Sequence, residues 1–256
     1  MSVTTPKLSV DGRTVWAAYR GLSLLYDHPG GDRLGGMTTL RRLSSGSGAP
    51  NALYRRLEGL VEGFEHAARG QGVGWYPLPA YSYHVTLCDG VNDGNRSQVH
   101  PERRGEVDTT LRALPDSLHW SNDVVRLLRD PEARWAVWRA PVTFSLAGLG
   151  IWGHVLVARL APVDAASDTA LASHHAARDE LVSRLRSRLG VRIPSWRPHL
   201  TLGYFVNEDA AARAKDVLLP GWRREARAAT RSQTVTYRSA CLYGFTDMAS
   251  FWRLCP

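Results

Sequence analysis

The chain has 256 residues, 44% of them hydrophobic, and three cysteines, Cys88, Cys241 and Cys255. An odd cysteine count without CxxC spacing argues against a disulfide scaffold and a cysteine zinc site. No apolar run reaches the roughly 20 residues that a membrane span needs, and the N-terminus lacks the apolar core of a secretory signal, so we expect a cytoplasmic protein. The net charge is +8, and all basic residues except Lys7 and Lys215 are arginine. Such a charge favours anionic partners, for example nucleotides or RNA.

The first half of the chain is predicted to contain two strands and a long helix. An apolar segment from Val15 to Tyr26 favours a strand, and residues 28–50, rich in Gly and Ser, favour a long loop. Helical spacing of apolar residues over Asn51 to Ala68 predicts a helix that Asn51 caps. A strand is predicted over Tyr81 to Cys88. The polar segment 90–120 is expected to be mostly a second long loop.

The second half is predicted to alternate strands with helices. Short helices are expected near Glu106 to Leu114 and Asn122 to Arg129. The helix over Asp168 to Leu189 is the strongest prediction, because four leucines share one face and Gly190 is suited to ending it. The remaining predictions are strands at Trp135 to Leu146, Trp152 to Leu160, His199 to Val206, Thr234 to Leu242 and Ser250 to Leu254, and a helix at Glu208 to Leu218.

One tetrapeptide pattern, His-x-Thr-Leu, occurs twice, as HVTL at residues 84–87 and as HLTL at residues 199–202. Two chance copies have odds of about one in a few thousand at this composition. Each copy follows a long predicted helix, which suggests an internal duplication. In a strand, alternate side chains share a face, so the histidine and threonine of each copy point one way and the two apolar residues point the other way.

The paired motif suits phosphodiester chemistry. Histidine titrates near neutral pH, so His84 and His199 can serve as an acid and a base. The hydroxyls of Thr86 and Thr201 can donate hydrogen bonds to phosphate oxygens. Cleavage or formation of a phosphodiester needs these groups and no metal, so we expect neither a metal nor another cofactor.

The two motifs, 115 residues apart, resemble the paired signatures of the two-histidine (2H) phosphoesterase superfamily, which includes LigT-type 2′,5′-RNA ligases and cyclic nucleotide phosphodiesterases. The sequence SYHVTLCDGV at residues 82–91 further resembles a poorly characterised branch of that superfamily. At residue level the similarity is limited to residues 81–92 and 198–204, and elsewhere only the order of elements is similar.

The resemblance implies an α+β fold and a set of site residues. The implied fold is a single bilobal domain over residues 1–256, with two antiparallel sheets, outer helices and a central cleft lined by the motif strands. The implied acid and base are His84 and His199, and the implied phosphate ligands are Thr86 and Thr201. Compact members lack the long loops predicted here, so their substrates do not transfer directly.

Two further residues are candidate substrate ligands. Ser82 and Arg197 each lie two residues before a motif histidine, and extended geometry would place them on the same face. Arg197 can clamp a phosphate with two hydrogen bonds. Tyr204 and Trp152 are predicted to be packing residues.

Three functions remain open on the sequence alone. The first is a metal-independent phosphodiesterase acting on a cyclic phosphate, a cyclic nucleotide or a 2′–5′ linkage in RNA. The second is a module that binds a nucleotide or an RNA end without chemistry. The third is a repurposed enzyme whose paired histidines transfer protons on a small non-phosphate metabolite. We expect a monomer that does not bind membranes.

Overall fold

The computed structural model describes residues 2–9, 15–27, 40–42, 51–129 and 139–254. In chain order the ten strands of these residues are β1 (Gly21–Tyr26), β2 (Leu40–Arg42), β3 (Trp75–Pro77), β4 (Thr86–Asn92), β5 (Val142–Trp152), β6 (Val155–Pro162), β7 (His199–Phe205), β8 (Thr234–Tyr237), β9 (Ala240–Asp247) and β10 (Ser250–Leu254). The six α-helices in the same residues are α1 (Ala52–Gly70), α2 (Pro101–Arg112), α3 (Asp123–Arg129), α4 (Ala165–Leu189), α5 (Glu208–Val217) and α6 (Leu219–Ala229).

The strands form two antiparallel sheets of five strands each, so the predicted α+β fold with two antiparallel sheets is observed. Sheet 1 has the order β2-β10-β9-β1-β4, and sheet 2 has the order β3-β7-β6-β5-β8. The first motif therefore belongs to the edge of sheet 1, and the second belongs to an inner strand of sheet 2. Sheet 1 combines strands from both ends of the described chain, which is not what two consecutive halves would give.

The two long helices follow their sequence signals closely. Asn51 caps α1, because its side chain accepts a hydrogen bond from the main-chain N–H of Tyr54 at 2.9 Å. Asp164 caps α4 in the same way through the N–H of Ser167. Gly190 ends α4 in the left-handed region, at φ +81°, as predicted. Helix α4 packs against β5 and β6 of sheet 2 and against β4 of sheet 1, so it touches both sheets.

Several predicted boundaries were wrong. The strand expected from Tyr81 begins at Thr86, because Ala80–Ser82 forms a 3-10 turn. Residues 90–120 hold less loop than expected, since β4 extends to Asn92 and the helix expected from Glu106 begins at Pro101 as α2. The loop expected over 28–50 lies outside the described residues, apart from β2. Helix α6 was not predicted, and a Pro-Gly pair lies in its first turn.

None of the helices in the described part of the chain has both the length and the apolar character required to cross a bilayer. The core is instead built where helices meet the sheets. Tyr54 of α1 and Tyr237 of β8, for example, are buried and share a hydrogen bond between their hydroxyls at 2.6 Å. Such contacts fix the helices against the sheets.

Candidate functional site

One cavity of about 490 Å³ is lined by both His-x-Thr pairs. His84 and Thr86 enter it from the start of β4 in sheet 1, and His199 and Thr201 enter it from β7 in sheet 2. The structure thus brings together all four motif side chains, although the two motifs lie 115 residues apart in the sequence. This volume lies within the range of small-molecule sites.

The apolar residues of the two motifs explain why the polar ones reach the cavity. Val85, Leu87, Leu200 and Leu202 are all buried, and of these four only Leu87 also lines the cavity. His84 itself precedes β4, yet its neighbour Val85 is already held to sheet 1, since the carbonyl of Val85 accepts a hydrogen bond from the N–H of Tyr26 at 3.0 Å. The alternation predicted from the sequence is therefore complete in the second motif, whereas in the first motif Leu87 also borders the cavity.

The two histidines are anchored in the same way. Nδ1 of His84 lies 2.7 Å from the carbonyl oxygen of Ser82, and Nδ1 of His199 lies 2.8 Å from the carbonyl oxygen of Arg197. A carbonyl oxygen only accepts hydrogen bonds, so Nδ1 is the donor in both rings. In the neutral imidazole this leaves Nε2 as the basic nitrogen. Each ring is thus oriented by main chain two residues before it.

An aromatic ring lies against each histidine. The rings of His84 and Phe251 have centroids 4.3 Å apart, and those of His199 and Trp152 have centroids 4.8 Å apart. Trp152, predicted to pack in the core, is only half-buried and lines the cavity. Tyr204 packs as predicted, since it is buried, but it also lines the cavity.

The pKa of His199 is lowered from its ordinary value of 6.5. Burial is the largest cause, because it disfavours the charged imidazolium, and the positive charge of Lys7 acts in the same direction. The carbonyl of Arg197 and the carboxylate of Asp89 oppose the shift. His199 is therefore predominantly neutral at pH 7, which is the form that accepts a proton.

The prediction that extended geometry places the Ser82 side chain on the cavity face is wrong. The residue is fully buried, it does not line the cavity, and its hydroxyl donates to the carbonyl oxygen of Pro79 at 2.8 Å. The 3-10 turn over Ala80–Ser82 causes this, because the chain is not extended at that point. Ser82 acts on the site through its carbonyl oxygen, which anchors His84.

Arg197 does reach the site. It lines the cavity and its side chain is exposed, while its carbonyl oxygen anchors His199. A second arginine, Arg178 of α4, also lines the cavity but was not predicted from the sequence. Its guanidinium is engaged elsewhere, since it donates to the carbonyl oxygens of Leu87 at 3.0 Å and Pro194 at 2.6 Å. Arg197 is thus the more accessible of the two guanidinium groups.

Two irregularities in β4 bring further polar residues into the cavity. Beyond Thr86, strand β4 has one more residue than β1 at each of two steps, so Thr86, Asp89 and Asn92 lie opposite Leu25, Ser23 and Gly21. The polar residues of β4 that line the cavity are therefore spaced three apart, and Leu87 lines it as well. Such bulges re-aim side chains, and simple alternation would instead have exposed Cys88, which is buried.

The charged groups that line the cavity are Lys7, Asp89, Arg178 and Arg197. Of these, only Arg197 was predicted. The sequence holds a weak signal for Lys7, because lysine is rare in this chain, and none for Asp89, whose position depends on the bulges. Among the described residues, no three side chains of His, Cys, Asp or Glu form a group that could hold a metal ion.

No protein-family model and no curated protein matches this chain. Among solved structures, the chain is similar to a conserved protein of unknown function from Agrobacterium tumefaciens str. C58, with a TM-score of 0.57, 17% sequence identity, and coverage of 98% of this chain and 90% of that one. At that identity the likeness shows the fold alone. A second similarity is to the MHV ns2 PDE domain, with a TM-score of 0.29 and 14% identity over 72% of this chain and 83% of that one. A TM-score this low does not show a shared fold.

Proposed function

We propose that this chain is a metal-independent phosphodiesterase of the 2H kind. Its substrate would be a cyclic phosphate, a cyclic nucleotide or a 2′–5′ linkage in RNA. The observation that carries the proposal is the matched pair of histidines, each anchored through Nδ1 to a main-chain carbonyl and each two residues from a threonine in the same cavity. General acid–base transfer by two imidazoles needs this arrangement.

In the proposed reaction His199 is the base and His84 is the acid. An attacking water oxygen forms a bond to phosphorus while the bond from phosphorus to the leaving oxygen breaks. Nε2 of His199 takes the proton from the attacking water, and His84 gives its proton to the leaving oxygen. The lowered pKa of His199 supports this assignment, because it keeps that ring unprotonated before the reaction.

The threonines are proposed to hold the phosphoryl group. In the described part of the chain, the structure shows no hydrogen bond to either the Thr86 or the Thr201 hydroxyl. Both hydroxyls are therefore able to donate to the non-bridging phosphate oxygens. Donors aimed at the charge that develops in the transition state contribute strongly to catalysis in a partly buried site.

A second candidate function is favoured by one observation. The carboxylate of Asp89 lines the cavity, and a carboxylate repels a phosphate group. If the substrate carries no phosphate, the two histidines would transfer protons on another metabolite, as a repurposed enzyme. The lysine and arginines of the same cavity favour the phosphodiester proposal over this one.

The test is a substrate panel with EDTA present, containing 2′,3′-cyclic nucleotides, 3′,5′-cyclic nucleotides, cyclic dinucleotides and 2′–5′ dinucleotides. We expect turnover of at least one class by the wild type. His84→Ala and His199→Ala should each reduce kcat by about 100-fold or more, because each removes a proton-transfer group. His66→Ala is the matched control, since His66 is exposed on α1 and does not line the cavity.

Circular dichroism and thermal melting would show that the variants remain folded. Full activity in both motif variants would overturn the assignment of the active site. No turnover of any panel substrate by a folded wild type would overturn the phosphodiesterase proposal. Binding of a nucleotide without product would favour the binding module, with an affinity that falls steeply as salt rises.

The pH profile gives a separate prediction. A base must be unprotonated, so activity should rise with pH through the pKa of His199. Since that pKa is lowered, we expect the acidic limb of log kcat/KM to have its midpoint below 6.5. A midpoint above 6.5 would contradict the assignment of His199 as the base. The limb should be measured in the wild type at constant ionic strength.

A further inference from the structure

Lys7 is held in the cavity by contacts of its own segment with the chain just after β7 and with the chain before β1. The N–H of Thr4 donates to the carbonyl oxygen of Val206, just beyond β7, at 2.8 Å. The carbonyl oxygen of Lys7 accepts a hydrogen bond from the N–H of Ala17 at 3.1 Å, and Leu8 forms a β-bridge with Trp16, before β1. The main chain at Lys7 is thus fixed where the two lobes meet.

The ammonium of Lys7 lies between two tyrosine rings. Its Nζ is 5.3 Å from the ring centroid of Tyr19 and 5.1 Å from that of Tyr204, and both tyrosines line the same cavity. A cation within about 6 Å of an aromatic face is attracted to it. The Tyr19 ring is fixed in turn by a hydrogen bond from its hydroxyl to Oδ1 of Asn92 at 3.0 Å. The two rings therefore position the charge without neutralising it.

No carboxylate of the described residues forms an ion pair with Lys7. Asp89 lines the same cavity and acts on the lysine electrostatically, but not as a salt-bridge partner. Burial disfavours the ammonium, yet the interactions with Tyr204, Tyr19 and Asp89 outweigh it and raise the pKa of Lys7 overall. Arg178 differs from Lys7, because its guanidinium is occupied by main-chain carbonyls.

We propose that Lys7 is the residue that binds the phosphoryl oxygens of the substrate and stabilises their charge during the reaction. This inference rests on the proposed function and deepens it, since it selects an anionic phosphodiester over a neutral metabolite. The two threonines supply only neutral donors, and Lys7 supplies a full positive charge within electrostatic reach of His199. A partly buried cation at the reacting group stabilises a transition state more than a solvated one does.

The kinetic test uses Lys7→Met, which keeps an apolar stem of similar length and removes the charge. We expect kcat/KM to fall about 100-fold, the usual effect of removing one charge-stabilising donor. Lys7→Arg should restore most of the loss, because a guanidinium keeps the charge and also stacks on aromatic rings. Lys215→Met is the matched control, since Lys215 is exposed on α5 and is the only other lysine.

A second readout does not depend on turnover. The wild type is acetylated at low reagent concentration with and without inorganic phosphate, and the modification of Lys7 and Lys215 is measured by peptide mass spectrometry. We expect phosphate to protect Lys7 and to leave Lys215 unchanged. If phosphate protects Lys7 but the protein cleaves no diester, the result would support an anion site at Lys7 and overturn the proposed phosphodiesterase function. Turnover that survives Lys7→Met, or equal modification of Lys7 with and without phosphate, would overturn the role of Lys7.

Discussion

At the scale of the residue, the orientation of the two histidines comes from the main chain. Each imidazole donates from Nδ1 to the carbonyl oxygen two residues earlier, so the side chains of Ser82 and Arg197 are not needed for it. This explains how one motif can be preceded by a buried serine and the other by an exposed arginine. The four motif residues were predictable from the repeat, but the anchoring was not, because it depends on local backbone geometry.

Asp89 is expected to affect both substrate binding and the protonation of His199. Asp89→Asn removes a negative charge from the cavity, so we expect KM for a phosphodiester to fall about 3-fold, in line with partly exposed charges. The pKa of His199 should also decrease, because Asp89 raises it in the wild type. Michaelis kinetics across pH would measure both changes.

The control for that experiment is Asp216→Asn, since Asp216 is exposed on α5. The decrease in KM caused by Asp89→Asn should be smaller at high salt, because salt screens interactions between solvated charges. A rise in KM after Asp89→Asn would indicate that the carboxylate binds a donor group of the substrate instead of repelling its phosphate.

At the scale of the element, β4 shows why part of the site was not predictable. Strict alternation along this strand predicts that Cys88 follows Thr86 into the cavity. The strand instead has an extra residue at two steps against β1, which turns Asp89 and Asn92 inward. A bulge depends on the partner strand, and sequence patterns of β4 alone carry no information about that pairing.

Gly90 is required at one of these steps by close packing. A Cβ at this position would lie 2.5 Å from the carbonyl oxygen of Leu22 and 2.8 Å from a methyl of Leu128. The carbonyl belongs to β1 and cannot move freely, so we expect Gly90→Ala to lower the free energy of unfolding by about 2 kcal/mol. Urea denaturation would measure the change.

Gly59 is the matched control for Gly90. It is exposed within α1, and a Cβ there would meet nothing within 4 Å. Gly59→Ala should therefore raise the free energy of unfolding by about 0.8 kcal/mol through helix propensity alone. Equal effects of the two substitutions would contradict the packing argument at Gly90.

Helices were predictable where strong apolar spacing and caps coincided, as in α1 and α4. Helix α2 was predicted to begin at Glu106 but begins at Pro101, because it buries only Val107, Thr110 and Leu111 and its charged first turn gives no apolar signal. Helix α6 was not predicted, and its first turn holds Pro220 and Gly221, a pair typical of turns. Proline is tolerated in the first turn of a helix, where its missing N–H has no partner to lose.

At the scale of the whole molecule, the site depends on one buried arginine that joins its parts. Arg178 of α4 donates to Leu87 in the first motif strand and to Pro194 in the segment that leads to the second motif. The indole of Trp196, in the same segment, donates to the carbonyl oxygen of Thr86. The two motifs are thus tied to each other as well as to their own sheets.

We expect Arg178→Met to lower the free energy of unfolding by about 3 kcal/mol, because buried hydrogen bonds from a charged group are lost. It should also reduce kcat, since the relative position of the two histidines relies on these contacts. Thermal melting and kinetics would measure the two effects.

Arg69→Met is the comparison, because Arg69 is exposed and, within the described part of the chain, pairs only with Glu65 one helical turn away. That change should cost less than about 0.5 kcal/mol. If Arg178→Met proved as mild as Arg69→Met, the coupling between the motifs would have to arise elsewhere.

Which strands belong to which sheet was not predictable, because local sequence carries no information about pairing between distant strands.

The strand order of sheet 1 has a consequence for biosynthesis. Gly21 of β1 and its partner Phe245 of β9 are 224 residues apart. On the ribosome, β3, β7, β6 and β5 of sheet 2 can pair while one side of the apolar strand β1 still lacks its neighbour β9. The wall of the cavity that carries His84 and Phe251 is therefore completed only after β9 and β10 have been synthesised, and the nascent chain must keep β1 from pairing with other polypeptides until then.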